Sequence, residues 1–347
     1  MGILFGTSHD LYTYYTIWFV LLHREFADLA LSGALYLPHT WVIVTPIFMW
    51  GWPAARILML LLNVGAVIFI WRRLRALAGL KDLRGALLLA FFCSWLSTGL
   101  VVGLGNLVLV CVAAMIAAFP FASKTNGVFL ALSAMKQTIV FPVYFRLLFQ
   151  KPKMYLLPTL IFGVCGVAAL VWARLTPLEA IKMARESVHS VSGWTQADHT
   201  CLRRLLSPFI QSAGVLAAIN WLGWFALFGL TLKFIRDPLA QLAALMLLSL
   251  LPIYHNIYDM VVAAPALAVF LKRAPIGWSV IMTSVLAANP LPLLQRLLPA
   301  GFPQRFVGYF DFGYYPIAIL CMLAGLFYLE VCQPVNPASS TELKPST

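Results

Sequence analysis

Acidic residues are scarce in this chain: 12 Asp and Glu in 347 residues, against 24 Lys and Arg. Charge of both signs reaches only 10% of the sequence, where a soluble domain carries about 25%. A water-facing globule is therefore excluded. Cysteine is equally thin. The six are scattered with no paired spacing, which excludes a disulfide framework and a metal knuckle. Cys93, Cys111, Cys165 and Cys321 fall in apolar runs, Cys332 near their end and Cys201 in a polar loop. The six histidines form no HExxH or similar ligand spacing, so a metal site built from protein ligands alone is not expected. There is no Walker loop or dinucleotide fingerprint, and GLGN (103–106) has too few glycines for either. No basic and aromatic nucleic-acid module is present. Energy for any reaction must arrive in another form, such as an activated lipid or an ion gradient.

What fills the chain is apolar: 62% hydrophobic residues, in runs that recur from Pro53 to Cys332. The fold class that follows is all-α, a polytopic transmembrane helical bundle. Expected spans are 53–71, 86–102, 105–120, 153–174, 209–232, 238–254, 258–271, 276–291 and 313–331. With the short broken segment around Lys136, about 10 or 11 membrane helices are expected. Lys136 lies in ALSAMKQTIVFP (131–142), roughly a dozen apolar residues from the basic ends on either side. An ammonium at that depth is costly and needs an anion. A helix from Thr125 to Thr138 would rise only about 21 Å, short of a hydrocarbon layer of about 30 Å. Pro142 then interrupts it. A hairpin that climbs from Lys124, turns near Lys136 and returns to Arg146, Lys151 and Lys153 reconciles these facts.

Basic loops stay cytoplasmic. Placing 72–84, 121–124, 146–153, 233–237, 272–275 and the tail from Glu330 inside collects 14 of the 24 basic and 4 of the 12 acidic residues. Every span then alternates. The positive excess thus reports topology and attraction to anionic lipid, and nucleic acid is not an expected partner. The expected location is the cell membrane, as one multi-pass domain over 1–347. Residues 1–52 are outside, 53–331 form the bundle with an outer loop at 175–206, and 332–347 are a cytoplasmic tail. No apolar segment precedes Asp10 to carry a cytoplasmic N-terminus outward, so either a first helix lies upstream, the favoured expectation, or the short N-terminus translocates directly. Residues 11–31 are aromatic and then charged, as a helix on the outer surface would be. YLPHTWVIVTPIFMWGWP adds a short apolar piece that Pro46 and Pro53 should break.

This topology gathers polar groups at one outer face: Asp10, Asn106, Lys136, His255, Asn256 and Asp259, with Asp198, His199, Arg203 and Arg204 where the outer loop re-enters. A carboxylate, several cations and a histidine around one cavity can deprotonate a hydroxyl and hold a phosphate. Each also has a plainer role. Asp10, Asn106 and Asp259 can cap helices, Lys136 can snorkel, His255 can satisfy a carbonyl at a helix break, and Arg203 and Arg204 can anchor in headgroups.

Five segments in order carry a family resemblance: HDLYTYY (9–15), YLPHTW (36–41), GLGN (103–106), GVFLALSAMKQ (127–137) and PIYHNIYD (252–259). Over residues 8–275 the chain resembles the integral-membrane GT-C glycosyltransferases, specifically glycosyltransferase family 87. It departs from the family pattern at Gly105, where Gln is common, and at Gln137, where Pro is common. The resemblance implies transfer of a hexose, mannose first, from a polyprenyl-phosphate sugar to a hydroxyl of a glycan, glycolipid or protein at the extracytoplasmic face. It implies Asp10 as catalytic base, with Lys136, His255, Arg203 and Arg204 on the donor phosphate and Asn106, Asp259 and Tyr36 as secondary site residues. Phosphate is already a good leaving group, so no strong general acid is needed. A retaining double displacement would need a carboxylate nucleophile and a second acid/base, so inversion by one displacement is expected. No cofactor and no divalent metal are expected where Lys136 and His255 cover the phosphate. The rival expectation is a transporter or lipid flippase, whose sites also use broken helices and buried charge. A noncatalytic assembly partner is a third.

Overall fold

The structure, a computed structural model, describes residues 38–121, 126–182, 202–207, 209–253, 255, 257–279 and 304–332. Asp10, Tyr36, Asp198, His199, Asn256 and the helix expected at 11–31 lie outside them. The described residues are helical with no strand. The chain divides into two compact units: Met1–Leu74 with Leu89–Asp198 and Asn256–Val261, and Arg75–Leu88 with His199–His255 and Val262–Thr347.

In chain order the helices are α1 Pro38–Phe48, α2 Trp52–Ala78, α3 Asp82–Ser94, α4 Leu96–Leu104, α5 Val108–Ala118, α6 Asn126–Ser133, α7 Gln137–Gln150 and α8 Pro152–Ala173, then α9 Leu202–Leu206, α10 Ala213–Phe234, α11 Pro238–Ser249, α12 Ala264–Arg273 and α13 Gln304–Cys332. Two 3-10 turns, Ala134–Lys136 and Ile257–Ala263, join α6 to α7 and lead into α12.

Sequence explains most boundaries. Pro53 opens α2 without breaking it, since the first turn needs no N–H from it. Gly79, at φ +63°, ends that helix with the Leu80 amide on the Arg75 carbonyl, as a left-handed glycine does best. Pro46 does not break α1 as expected; the helix runs only two residues past it, to Phe48, so the missing Pro46 N–H and the ring's clash with the carbonyl four residues earlier fall at the helix end. Asp237 caps α11 by accepting from the Ala240 amide at 2.8 Å.

Five stretches are long and apolar enough to cross a membrane: Trp52–Ala78, Asn126–Gln150, Pro152–Ala173, Ala213–Phe234 and Tyr314–Cys332. The expected 10 or 11 are not reached among the described residues. The run expected as one span at 86–102 is a bent pair of helices. At 11 and 12 residues α5 and α11 rise only about 16–18 Å. Hydropathy alone cannot distinguish such half-length pieces from crossings. Membrane-type faces are nonetheless clear. Ile57, Leu61, Val64 and Ile68 on α2 are exposed, and so are Leu156, Leu160, Val164, Val167 and Val171 on α8, apolar stripes that suit lipid tails.

The first unit is built around the segment 126–150, which counts as a span by length but folds back on itself. A continuous helix would hold residues 130 and 144 about 21 Å apart, yet the Tyr144 hydroxyl donates to the Leu130 carbonyl. Lys151 Nζ likewise donates to the Phe121 carbonyl at 3.2 Å. The segment therefore folds back at Lys136, as the short rise and Pro142 imply. From Asn126 to Lys136 the climb is about 15 Å, half of a hydrocarbon layer. α5 packs on the rising arm α6, α8 packs on both arms, and α1 packs on α8 and the apex.

Gly127 shows how tightly the rising arm lies on α8: a Cβ there would sit 2.8 Å from Leu157 Cδ2 and 3.3 Å from its Cβ. Gly127→Ala should be near neutral, because helix propensity returns about 1 kcal/mol as the Leu157 tip moves. Gly127→Leu has no such room and should cost about 1–3 kcal/mol, read as a lowered unfolding temperature in detergent.

In the second unit α11 is buried from Leu239 to Ser249, the core against which α10, α12 and α13 pack. The stripe Leu216, Asn220, Trp224, Phe228 and Thr231 of α10 is buried. Two of its polar groups close the end of α11: Trp224 Nε1 donates to the Leu248 carbonyl at 2.9 Å and Asn220 Nδ2 to the Pro252 carbonyl at 2.7 Å. Glu330 on α13 accepts from Arg273 and from the Arg236 and Asp237 amides.

Candidate functional site

The hairpin break creates two helix ends in one place. At Lys136 the backbone leaves helical geometry, with φ −116° and ψ 80°. The last carbonyls of the rising arm and the first amides of α7 thereby lose their intrahelical partners. The carbonyls are served from α1: His39 Nε2 lies 3.1 Å from the Ala134 carbonyl, and the Thr40 hydroxyl donates to the Met135 carbonyl at 3.0 Å. A carbonyl only accepts, so Nε2 carries the proton. Burial pushes the His39 pKa below its ordinary value, outweighing the opposing Ala134 bond.

Lys136 is the N-cap residue of α7 and does not cap it with its side chain, so the amide end of the helix and the Lys136 ammonium present positive potential together at the apex. The anion facing them is Asp259. Lys136 Nζ lies 2.6 Å from Asp259 Oδ1, with side-chain exposures of 13% and 2%. The sequence required an anion for this lysine and held Asp259 as a secondary site residue; the structure brings the two together. Cys111, fully buried on α5, lies with its sulfur against the Lys136 backbone.

The remaining expected site residues are placed as follows. Asn106 is buried, and its Oδ1 accepts from the Val108 amide at 3.0 Å, which starts α5. His255 is buried in the second unit with Nε2 3.0 Å from the Ser249 carbonyl, holding the break after α11. Arg203 and Arg204 lie on the short helix α9, whose Leu202 amide bonds the Leu251 carbonyl at 2.8 Å. Among the described residues no group of three His, Cys, Asp or Glu is placed to hold a metal ion.

Sequence reasoning passed over His39 and Thr40. Both lie in YLPHTW, from which Tyr36 was chosen instead. The available signal was a helix start carrying two side-chain donors ahead of a segment known to break. No family model, no curated protein and no solved structure matches the chain.

Proposed function

We propose that this chain is a membrane-embedded glycosyltransferase of the GT-C type, moving a hexose from polyprenyl phosphate to an acceptor hydroxyl at the extracytoplasmic face. The observation that carries the reading is the buried Lys136–Asp259 pair at the apex of a re-entrant hairpin. A cation and a helix N-terminus converging at half membrane depth suit the phosphate of a lipid-borne donor. The order of the five sequence segments supports the same reading.

In this mechanism Asp10 accepts the proton of the acceptor hydroxyl as its oxygen attacks the anomeric carbon. The bond from that carbon to the phosphate oxygen breaks, and polyprenyl phosphate leaves with the electron pair. One displacement inverts the centre. Lys136 and the α7 amides stabilise the charge gathering on the leaving phosphate. Mannose is preferred on the resemblance, with a glycan, glycolipid or protein as acceptor. No metal is required where cations cover the phosphate.

The same ion pair favours one second reading. A net-neutral pair buried on broken helices is also how carriers couple ions to substrates. Incubating the reconstituted protein with a panel of polyprenyl-phosphate sugars, and following sugar transfer, separates the two. Asp10→Asn should lower turnover about 10²–10⁴-fold while donor binding persists. Absence of transfer with every donor, beside lipid or ion flux that Asp10→Asn leaves intact, would establish the carrier instead.

A further inference from the structure

We infer that Asp259 is an internal substitute for the anionic group of the ligand: it occupies Lys136 in the empty protein, and a lipid phosphate binds by taking its place. This rests on the reading of the hairpin apex as an anion site, and not on sugar transfer.

Three observations carry it. First, exposure is asymmetric. Lys136 keeps 13% of its side chain accessible and Asp259 only 2%, so an arriving molecule meets the ammonium and not the carboxylate. Second, Lys136 is itself the N-cap residue of the 14-residue helix α7, so its ammonium adds to the positive end of that helix. Third, the apex is deep. It lies about 15 Å above the hairpin base, and α8, which packs on both arms, exposes an apolar face.

Charge then decides what can bind. The pair is neutral, so a neutral ligand gains nothing by separating it and would strand a buried carboxylate. A phosphate brings more negative charge and three acceptor oxygens, enough to compete for the ammonium. Two anions cannot both be compensated by one lysine at this depth, so ligand and Asp259 exclude each other. An apolar tail is required, because the route to the apex runs along lipid-facing helices.

The test titrates farnesyl phosphate, farnesol and inorganic phosphate into the full chain in micelles by calorimetry. Asp259→Asn should bind farnesyl phosphate at least tenfold tighter than wild type, with farnesol unchanged and inorganic phosphate weak. The double variant Lys136→Met, Asp259→Asn should bind farnesyl phosphate no better than farnesol. Equal or weaker binding by Asp259→Asn overturns the inference, as does inorganic phosphate binding as tightly as the lipid. Where Asp259→Asn does not fold alone, purification with farnesyl phosphate should restore the folded fraction, and failure to do so also overturns it. Tighter binding without sugar transfer by wild type keeps the exchange and removes the glycosyltransferase. Sugar transfer with unchanged affinity in Asp259→Asn does the reverse.

Discussion

Lys136→Met should destabilise the protein by about 3–5 kcal/mol, because it leaves a carboxylate without its cation in a place water barely reaches. Methionine keeps the stem and its packing, so the loss isolates charge. Asp259 is 2% exposed. It must therefore stay charged at high cost or take up a proton, and protonation caps the penalty near the figure given. The paired variant Lys136→Met, Asp259→Leu removes both charges and should recover most of the loss. Neutral replacement of a buried pair is often harmless, whereas breaking one is not. Unfolding temperatures of the four proteins in one detergent form a double-mutant cycle, expected to show strong positive coupling. Additive losses would mean the two groups do not depend on each other. The recovered double variant should remain without sugar transfer, which separates the need for a fold from the need for the ammonium.

How much of this was legible in the chain depends on the range of each interaction. Lys136 could be singled out because its cost is local: an ammonium among apolar residues, on a stretch too short to cross, followed by Pro142. The fold-back follows from the same local facts. Its partner could not be identified from spacing, since Asp259 is 123 residues away and a 3-10 segment carries no period that reveals a face. His39 and Thr40 were missed for a related reason. Their role exists only because another helix, 95 positions on, leaves its carbonyls open. Span counting meets a different limit. Hydropathy registers apolar length along the chain and is blind to a bend, so α3 with α4 reads as one crossing, and α5 or α11 as a crossing it is too short to make. Burial of α11 on all sides reflects packing by α10, α12 and α13, which is tertiary information. Pro46 marks a similar limit, because a proline lacks the N–H that would bond the carbonyl four residues earlier, yet two residues from a helix end that local cost is borne without a break.

The sharpest separation of hairpin from span comes from which side of the membrane its ends occupy. Single cysteines at Asn126, Gln150 and Arg174, in a chain without its natural cysteines, would be challenged with an impermeant maleimide in sealed vesicles. A straight helix over 126–150 would be about 37 Å long and would put Asn126 and Gln150 on opposite faces. The Tyr144–Leu130 and Lys151–Phe121 bonds forbid that. Asn126→Cys and Gln150→Cys should therefore label from the same side, and Arg174→Cys, beyond the 22 residues of α8, from the other. With the basic cluster of Arg146, Lys151 and Lys153 at that end, the shared side is expected to be the cytoplasmic one. The effect is all or none, so partial labelling efficiency does not blur it. Opposite labelling of Asn126 and Gln150 would dismantle the apex, and with it the reason for Lys136 to meet an anion halfway through the bilayer. The pattern has a mechanical consequence too. A hairpin anchored at one face presents its apex toward the opposite face, so under the proposed function Lys136 would be reached from the acceptor's side and the lipid phosphate would enter laterally.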